Sequence, residues 1–199
     1  RLPLIIAWPG VVQPSEKTDA QVSWVDLLPT LIELGGGTPP ADIDGQSFAG
    51  VIRGQQTTHR DRIFTTHSGD GRMNVYPIRS VRTRDWKYIR NLHPEFAHTT
   101  HIDRAKKVDG GYYWVSWEAQ AASDPRAATV VRKYHARPRE ELYDLRRDPY
   151  EQDNLASDPS HAGVLSELQS ELDAWLERQQ DQLAVFNEPR LLSDMEPAA

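Results

Sequence analysis

The stretch Ile-Arg-Ser-Val-Arg-Thr-Arg-Asp-Trp-Lys-Tyr-Ile-Arg, residues 78–90, carries the clearest strand signal in the chain. Two runs rich in β-branched and aromatic residues flank a short polar turn at Arg84 and Asp85, which predicts a β-hairpin. Successive side chains of a strand point to opposite faces of the sheet. The two expected faces of the second run are Trp86, Tyr88 and Arg90 on one side, and Lys87 and Ile89 on the other.

Further elements follow on both sides of this hairpin. Ile63–Thr66 is a short strand candidate, and Glu141–Leu145 is expected to join the hairpin in an antiparallel sheet. Asp158 and Pro159 combine the signals of a helix start, and the leucines after them recur with helical spacing. The long aromatic connection over residues 92–138 is expected to contain one short helix, within 119–134.

The first part of the chain has a different pattern. The apolar run Leu2–Trp8, stopped by Pro9, predicts a fully buried strand of a parallel sheet. A helix should follow, with Asp26 as its N-cap and a stretch of three glycines from Gly35 at its end. This is half of an α/β unit. Because Arg1 opens directly into the apolar run, we expect the chain to begin in the middle of a domain.

Composition limits the possible functions. The chain has 199 residues, a formal net charge of −6 and no cysteine. The acidic balance argues against general nucleic-acid binding, which depends on releasing counterions from phosphates. The lack of cysteine excludes disulfides, thiolate metal sites and a cysteine nucleophile within these residues. No stretch approaches the roughly 20 apolar residues that span a bilayer.

Four segments, in this order and spacing, resemble the sulfatase family. They are Leu-Pro-Leu-Ile-Ile-Ala-Trp-Pro-Gly at 2–10, Val-Ser-Trp-Val-Asp-Leu-Leu-Pro-Thr-Leu at 22–31, Asp-Gly-Gln-Ser-Phe at 44–48, and Glu-Leu-Tyr-Asp-Leu-Arg-Arg-Asp-Pro-Tyr-Glu-Gln-Asp-Asn-Leu-Ala at 141–156. Residues 76–93 most resemble the subgroup containing N-sulfoglucosamine sulfohydrolase, a heparan N-sulfatase. The resemblance extends from Arg1 to about Arg178.

The resemblance implies the C-terminal part of an α/β fold shared with alkaline phosphatases. Residues 1–57 would be the last strand and helix of the large sulfatase domain. Residues 58–199 would be the small C-terminal domain, an antiparallel sheet with an amphipathic helix over 159–180 packed on it. The boundary near Thr57 also follows from composition, because residues 38–61 are rich in Pro, Gly, Asp and Thr.

The family's chemistry, by resemblance, uses a formylglycine made in a Cys/Ser-x-Pro-x-Arg motif and a calcium ion held by several Asp with Asn or His. This chain contains no such motif and no Asp-Asp pair, and the Ser123-Asp-Pro-Arg sequence has its Arg one place too early. We therefore expect no catalytic or metal-binding residue in this chain and no activity from the fragment alone. The parent enzyme's partners would be a sulfated saccharide and the missing N-terminal part, in the periplasm or secreted.

The resemblance implies that the small domain helps to form the wall of the substrate pocket. We therefore expect its loops to contact the substrate. The loop before the hairpin contains candidate contacts, since Arg pairs well with sulfate or carboxylate, and Asp and Asn suit sugar hydroxyls. The candidates are His67, Asp70, Arg72 and Asn74. The alternative interpretation is an ordinary solvated turn around Gly-Asp-Gly.

His98 and His101 are further candidates. A zinc site would need more ligands than these two histidines, and none is apparent, so substrate contact is the favoured role. Ordinary surface histidines are the alternative. The basic residues of the hairpin alternate between two faces, which predicts ion pairs with Glu140, Glu141 or Asp144 rather than one polyanion site.

Two other functions remain open at this point. A phosphoester or phosphonate hydrolase of the same superfamily would share the fold. A non-catalytic glycan-binding or assembly module is the other alternative, although an independent module should not start with a strand that has no neighbours.

Overall fold

A computed structural model describes residues 3–69, 71, 73–105 and 111–195. The chain divides into two compact units, Arg1–Ile63 and Phe64–Ala199. This division follows Ile63, whereas composition placed a boundary near Thr57. That the first unit is the end of a larger α/β domain stays a prediction.

The first unit contains two helices joined by irregular segments. A 3-10 turn, Trp24–Asp26, leads directly into α1, Leu27–Leu34, and α2 spans Ala49–Ile52. Helix α1 ends where the glycines predicted it. Its C-cap is Gly35, and Gly36 adopts a φ of 81°, a left-handed conformation that favours glycine.

The apolar segments of the first unit are not buried as expected. Residues 3–8 form no strand, and the side chain of Ile5 is 89% exposed. Two leucines of α1 are exposed as well, Leu28 at 57% and Leu31 at 66%. These residues form no strand here because no described segment supplies the ladder neighbours that a strand requires, and their place in a parallel sheet stays a prediction.

Asp26 connects three separate segments of the first unit through hydrogen bonds. It occupies the predicted N-cap position of α1, but its side chain makes no cap hydrogen bond there. Its buried carboxylate instead accepts hydrogen bonds from the backbone N–H of Ser23 and of Gln46, both at 2.9 Å, and from Arg60 Nε at 2.7 Å. Burial alone would raise the pKa of this carboxyl, but Arg60 and the two N–H donors outweigh burial and lower the pKa to about 2.

The second unit is built on a four-stranded sheet in the order β1-β2-β3-β4. Its strands are β1, Ile63–His67; β2, Ile78–Arg82; β3, Trp86–Asn91; and β4, Glu140–Asp144. The β2–β3 hairpin is antiparallel, with Arg82 opposite Lys87, and β4 pairs with β3. The predicted hairpin and its pairing with the later strand are confirmed, with β4 beginning one residue early.

The connection between β3 and β4 contains three helices in the part that the structure describes. They are α3, His101–Arg104; α4, Gly111–Ala121; and α5, Pro125–His135. The sequence had predicted one short helix. The missed start signal was Asp124-Pro125, in which the Asp124 carboxylate accepts the backbone N–H of Arg126 at 2.8 Å.

Helix α6, Ala162–Arg178, packs on one face of the sheet and follows a 3-10 turn, Pro159–His161, capped by Asp158. The core between them consists of Val81, Tyr88, Leu142, Leu168, Leu172 and Leu176. Ile89 belongs to a separate cluster with Tyr143 and Leu145, so the predicted division of β3 into two faces is confirmed. No helix among the described residues is long and apolar enough to cross a membrane.

Candidate functional site

The structure brings together the two segments that contain the predicted contact residues. The first is the β1–β2 loop, residues 68–77, which follows His67. The second is the β3–α3 segment, residues 92–100. Thr99 Oγ1 donates a hydrogen bond to the carbonyl oxygen of Met73 at 2.6 Å, which ties one segment to the other.

His67 and Asn74 lie at the two ends of the polar part of the β1–β2 loop. Both side chains are half-buried, and neither His67 Nε2 nor Asn74 Oδ1 has a hydrogen-bond partner among the described residues. The phenol oxygen of the buried Tyr76 also has no hydrogen-bond partner among the described residues. Unpaired buried polar atoms are uncommon and point to a partner beyond the described residues, such as water or a ligand. Asp70 and Arg72 lie outside the described residues.

His98 is packed among aromatic rings. Its ring meets Tyr76 edge-on at 5.4 Å and Tyr134 at 4.9 Å between centroids, and its Nδ1 has no hydrogen-bond partner among the described residues. Its carbonyl oxygen accepts a hydrogen bond from His135 Nδ1 at 2.8 Å, which makes Nδ1 the protonated nitrogen of His135.

His101 lies apart from this cluster. It is the first residue of α3 and is exposed, while Thr100 before it caps the helix by accepting the N–H of Ile102. His98 precedes the helix, so the two histidines do not share a helical face. Among the predicted residues that the structure describes, His67, Asn74 and His98 therefore lie on adjacent segments. His101 lies on α3, just beyond the β3–α3 segment.

The protonation of His98 predicts how stability changes with pH. Burial, assisted by the nearby Arg137, lowers the pKa of His98 from 6.5 to about 4. On acidification through this window the unfolded chain takes up a proton that the folded chain does not, so folding becomes less favourable. We expect the free energy of unfolding to fall by at most about 3 kcal/mol between pH 6.5 and 4.

Urea denaturation at a series of pH values measures this loss. In His98→Gln the fall between pH 6.5 and 4 should be smaller than in the unmodified chain, whereas the exposed-site control His101→Gln should keep the full fall. Equal pH slopes for the unmodified chain and His98→Gln would contradict the assignment.

The cations of the hairpin pair differently from the prediction. Arg79 is buried and pairs with Asp181, Lys87 pairs with Glu151, and Arg90 pairs with Asp173. The predicted acidic partners are engaged elsewhere, for example Glu141 with Arg137. The expectation that these residues form no single patch agrees with the separate partners of these three cations. For the same three the predicted pairs are wrong, because their partners lie on α6 or in the segments that follow β4 and α6.

Metal binding has no support in the described part of the chain. No group of three or more His, Asp or Glu side chains there is placed to hold an ion, so these residues do not fit the calcium that the family resemblance implies. An open concavity of about 600 Å³ lies in the first unit, lined by Gln46, Ser47, Gln55, Gln56, Thr57, Thr58 and His59. It contains none of the predicted contact residues.

Comparison with known proteins assigns the chain to a family. Residues 1–107 match the family described as N-sulphoglucosamine sulphohydrolase, C-terminal. An ulvan-active sulfatase of Formosa agariphila is 28% identical over 186 residues, which cover 92% of this chain and 34% of that protein. Human N-sulphoglucosamine sulphohydrolase is 27% identical over 189 residues, which cover 84% of this chain and 37% of that protein.

Solved structures agree with these relatives. A 2-O GAG sulfatase superposes with a TM-score of 0.54 at 26% identity, covering 82% of this chain and 27% of that one. The chain spans about a third of the length of the two curated relatives. The expected fold class, the end of an alkaline-phosphatase-like sulfatase with an antiparallel sheet and a packed helix, is confirmed. The chain belongs to the family of N-sulphoglucosamine sulphohydrolase C-terminal regions.

Proposed function

We propose that this chain is the C-terminal part of a sulfatase that hydrolyses sulfate esters or sulfamates of a sulfated saccharide. The observation that carries the proposal is the family match over residues 1–107. The relatives named ulvan-active sulfatase and N-sulphoglucosamine sulphohydrolase support a sulfated saccharide as the substrate class.

The chain's own part in this function is to form one wall of the substrate pocket. Strand β1 supplies His67 and the loop after it supplies Asp70, Arg72 and Asn74. The β3–α3 segment, which Thr99 ties to Met73 of that loop, supplies His98. A sugar hydroxyl donating to Asn74 Oδ1 would satisfy an acceptor that has no partner among the described residues. A guanidinium at position 72 suits a sulfate or carboxylate through paired N–H donors. His101, exposed at the start of α3, is the remaining candidate.

The remaining chemistry belongs to residues outside this chain. The family resemblance assigns the attack on sulfur to a formylglycine and a calcium ion, and no residue described here forms part of either. We propose that the N-terminal part of the protein supplies them. That part would also cover the exposed apolar surface of the first unit, which includes Ile5, Leu28 and Leu31, because removing such surface from water is favourable.

Activity of the complete protein tests the proposal. Produced from its whole coding sequence, the protein should release sulfate from a sulfated oligosaccharide, and chelating calcium should abolish the release. The 199-residue chain alone should release none. Phosphate or phosphonate release without sulfate release would favour the related phosphoester or phosphonate hydrolases instead. Binding of the saccharide without any hydrolysis would favour a glycan-binding module.

Two substitutions in the complete protein test the pocket wall. His67→Ala and Asn74→Ala should each raise KM about tenfold, since one hydrogen bond to substrate contributes about 1 kcal/mol or slightly more. His161→Ala is the matched control, because His161 lies at the start of α6 and pairs with Asp158. An unchanged KM in both loop variants would remove these residues from the pocket.

A further inference from the structure

We infer that Arg79 and Asp181 form a positioning clamp for the β1–β2 loop, so that the segment following α6 sets the shape of the substrate pocket. Residues 181–192 are called the C-terminal strap here. The inference rests on the proposed function for its effect on substrate, but the clamp itself is testable without any activity. Neither residue is proposed to touch substrate, and both act through the loop.

Arg79 distributes its donors over three segments. Its Nε and Nη2 donate to the two carboxylate oxygens of Asp181, at 2.5 and 3.0 Å. Its Nη1 donates to the carbonyl oxygen of His67 at 2.9 Å, and Nη2 also reaches Ser68 Oγ at 3.2 Å. Arg79 is itself part of β2 and only 2% exposed. The beginning of the loop is therefore held by a buried guanidinium whose orientation the carboxylate sets.

Asp181 is well anchored for this purpose. Its backbone N–H donates to the carbonyl oxygen of Leu176 in the last turn of α6, at 3.0 Å, and its Oδ1 accepts the N–H of Leu183 at 2.8 Å. The guanidinium of Arg79 holds the pKa of Asp181 below its usual range, so the carboxylate remains charged near neutral pH. The clamp thus connects the loop to the helix that packs on the sheet.

The strap contacts the loop again further along, and then the second pocket segment. Asn187 Nδ2 donates to the carbonyl oxygen of Gly71 at 3.2 Å. The backbone carbonyl oxygen of Arg190 accepts the N–H of Ala97 at 2.8 Å, and the N–H of Leu192 donates to the backbone carbonyl oxygen of Glu95 at 3.0 Å. One continuous segment therefore supports both the β1–β2 loop and the β3–α3 segment, on which Asn74 and His98 lie.

The closing experiment compares two identical changes of charge in the complete protein. Asp181→Asn removes the carboxylate partner of a buried arginine on β2, and the control Asp173→Asn removes the partner of Arg90 on β3. We expect amide hydrogen exchange in residues 67–74 to become at least about tenfold faster in Asp181→Asn, a loss of at least about 1.4 kcal/mol of local protection. Exchange there should be unchanged in Asp173→Asn, and α6 should stay protected in both.

Enzyme kinetics and a charge-conserving variant distinguish a positioning role of Asp181 from a general effect on stability. Asp181→Asn should raise KM several-fold with little change in kcat, and Asp181→Glu, which keeps the charge, should restore part of the difference. Asn187→Gly tests the second tie without touching the ion pair. Glycine suits its positive φ of 67°, and this variant should also speed exchange in the loop.

The outcomes distinguish failure of the clamp from failure of the proposed function. Unchanged loop exchange in both Asp181→Asn and Asn187→Gly would overturn the clamp, whether or not the protein is a sulfatase. A second outcome would also overturn the clamp. In it, α6 and the loop both lose protection from exchange in Asp181→Asn, while loop exchange in Asn187→Gly is unchanged. Asp181 would then support the whole unit. Faster loop exchange in a protein without sulfatase activity would support the clamp and reject the proposed function.

Discussion

Replacing Asp26 with alanine should lower the free energy of unfolding of the first unit by about 3–5 kcal/mol, since removing one partner of a buried ion pair leaves the other uncompensated. The Asp26 side chain is completely buried and accepts from Arg60, whose side chain is 19% exposed, and it also contacts the largely buried His59. Alanine would leave that guanidinium without its charge partner and two backbone N–H groups without an acceptor.

Native-state hydrogen exchange of the α1 amides measures this effect. The amides of α6 serve as an internal control, and Asp42→Ala, at an exposed aspartate of the same unit, is the matched variant. Because the pKa of Asp26 is lowered from 3.8 to about 2, the stabilisation should be complete above about pH 4 and disappear as the pH falls through 2. Exchange in α1 that is the same in Asp26→Ala and Asp42→Ala would show that Asp26 does not hold the unit together.

The second large effect is expected for Leu172→Ala in α6. Leu172 is fully buried between the helix and the sheet, in the cluster that includes Tyr88 and Leu142. Truncation removes contacts on several sides and leaves a cavity that a packed sheet and helix only partly close. We expect a loss of about 2–5 kcal/mol in the stability of the second unit.

Exchange in α6 and β3 should report this loss together, because both line the same cluster. Leu183→Ala, at a leucine that is 43% exposed, should change these rates by less than about tenfold. If α6 alone became less protected while β3 stayed as before, the helix would not be a cooperative part of the sheet domain.

Local patterns determined much of the second unit in advance. Alternation along residues 78–90 predicts the hairpin and its two faces because a strand repeats every two residues. The spacing of leucines after Asp158 predicts α6 for the same kind of reason, and Asp-Pro predicts its start. The same signal at Asp124-Pro125 precedes α5, which was not separately predicted.

The candidate site was predictable only in part. Polar residues before a hairpin indicate where contacts are possible, and Thr99 and Met73 bring two such segments together. Nothing local to the sequence shows that Thr99 donates to Met73, since the two lie 26 residues apart. The predicted acidic partners of the hairpin cations failed for a similar reason, since Arg79 pairs with Asp181.

By itself, then, the sequence determined the hairpin, its partner strand, helix α6, the faces of the sheet and the family resemblance, because each depends on short-range periodicity or on ordered motifs. Only the tertiary structure decided the long-range partners, such as Arg79 with Asp181, 102 residues apart, and Asp26 with Arg60. Such pairs form where chain folding removes a charge from water, so that the nearest available counter-charge, not the nearest in sequence, becomes its partner.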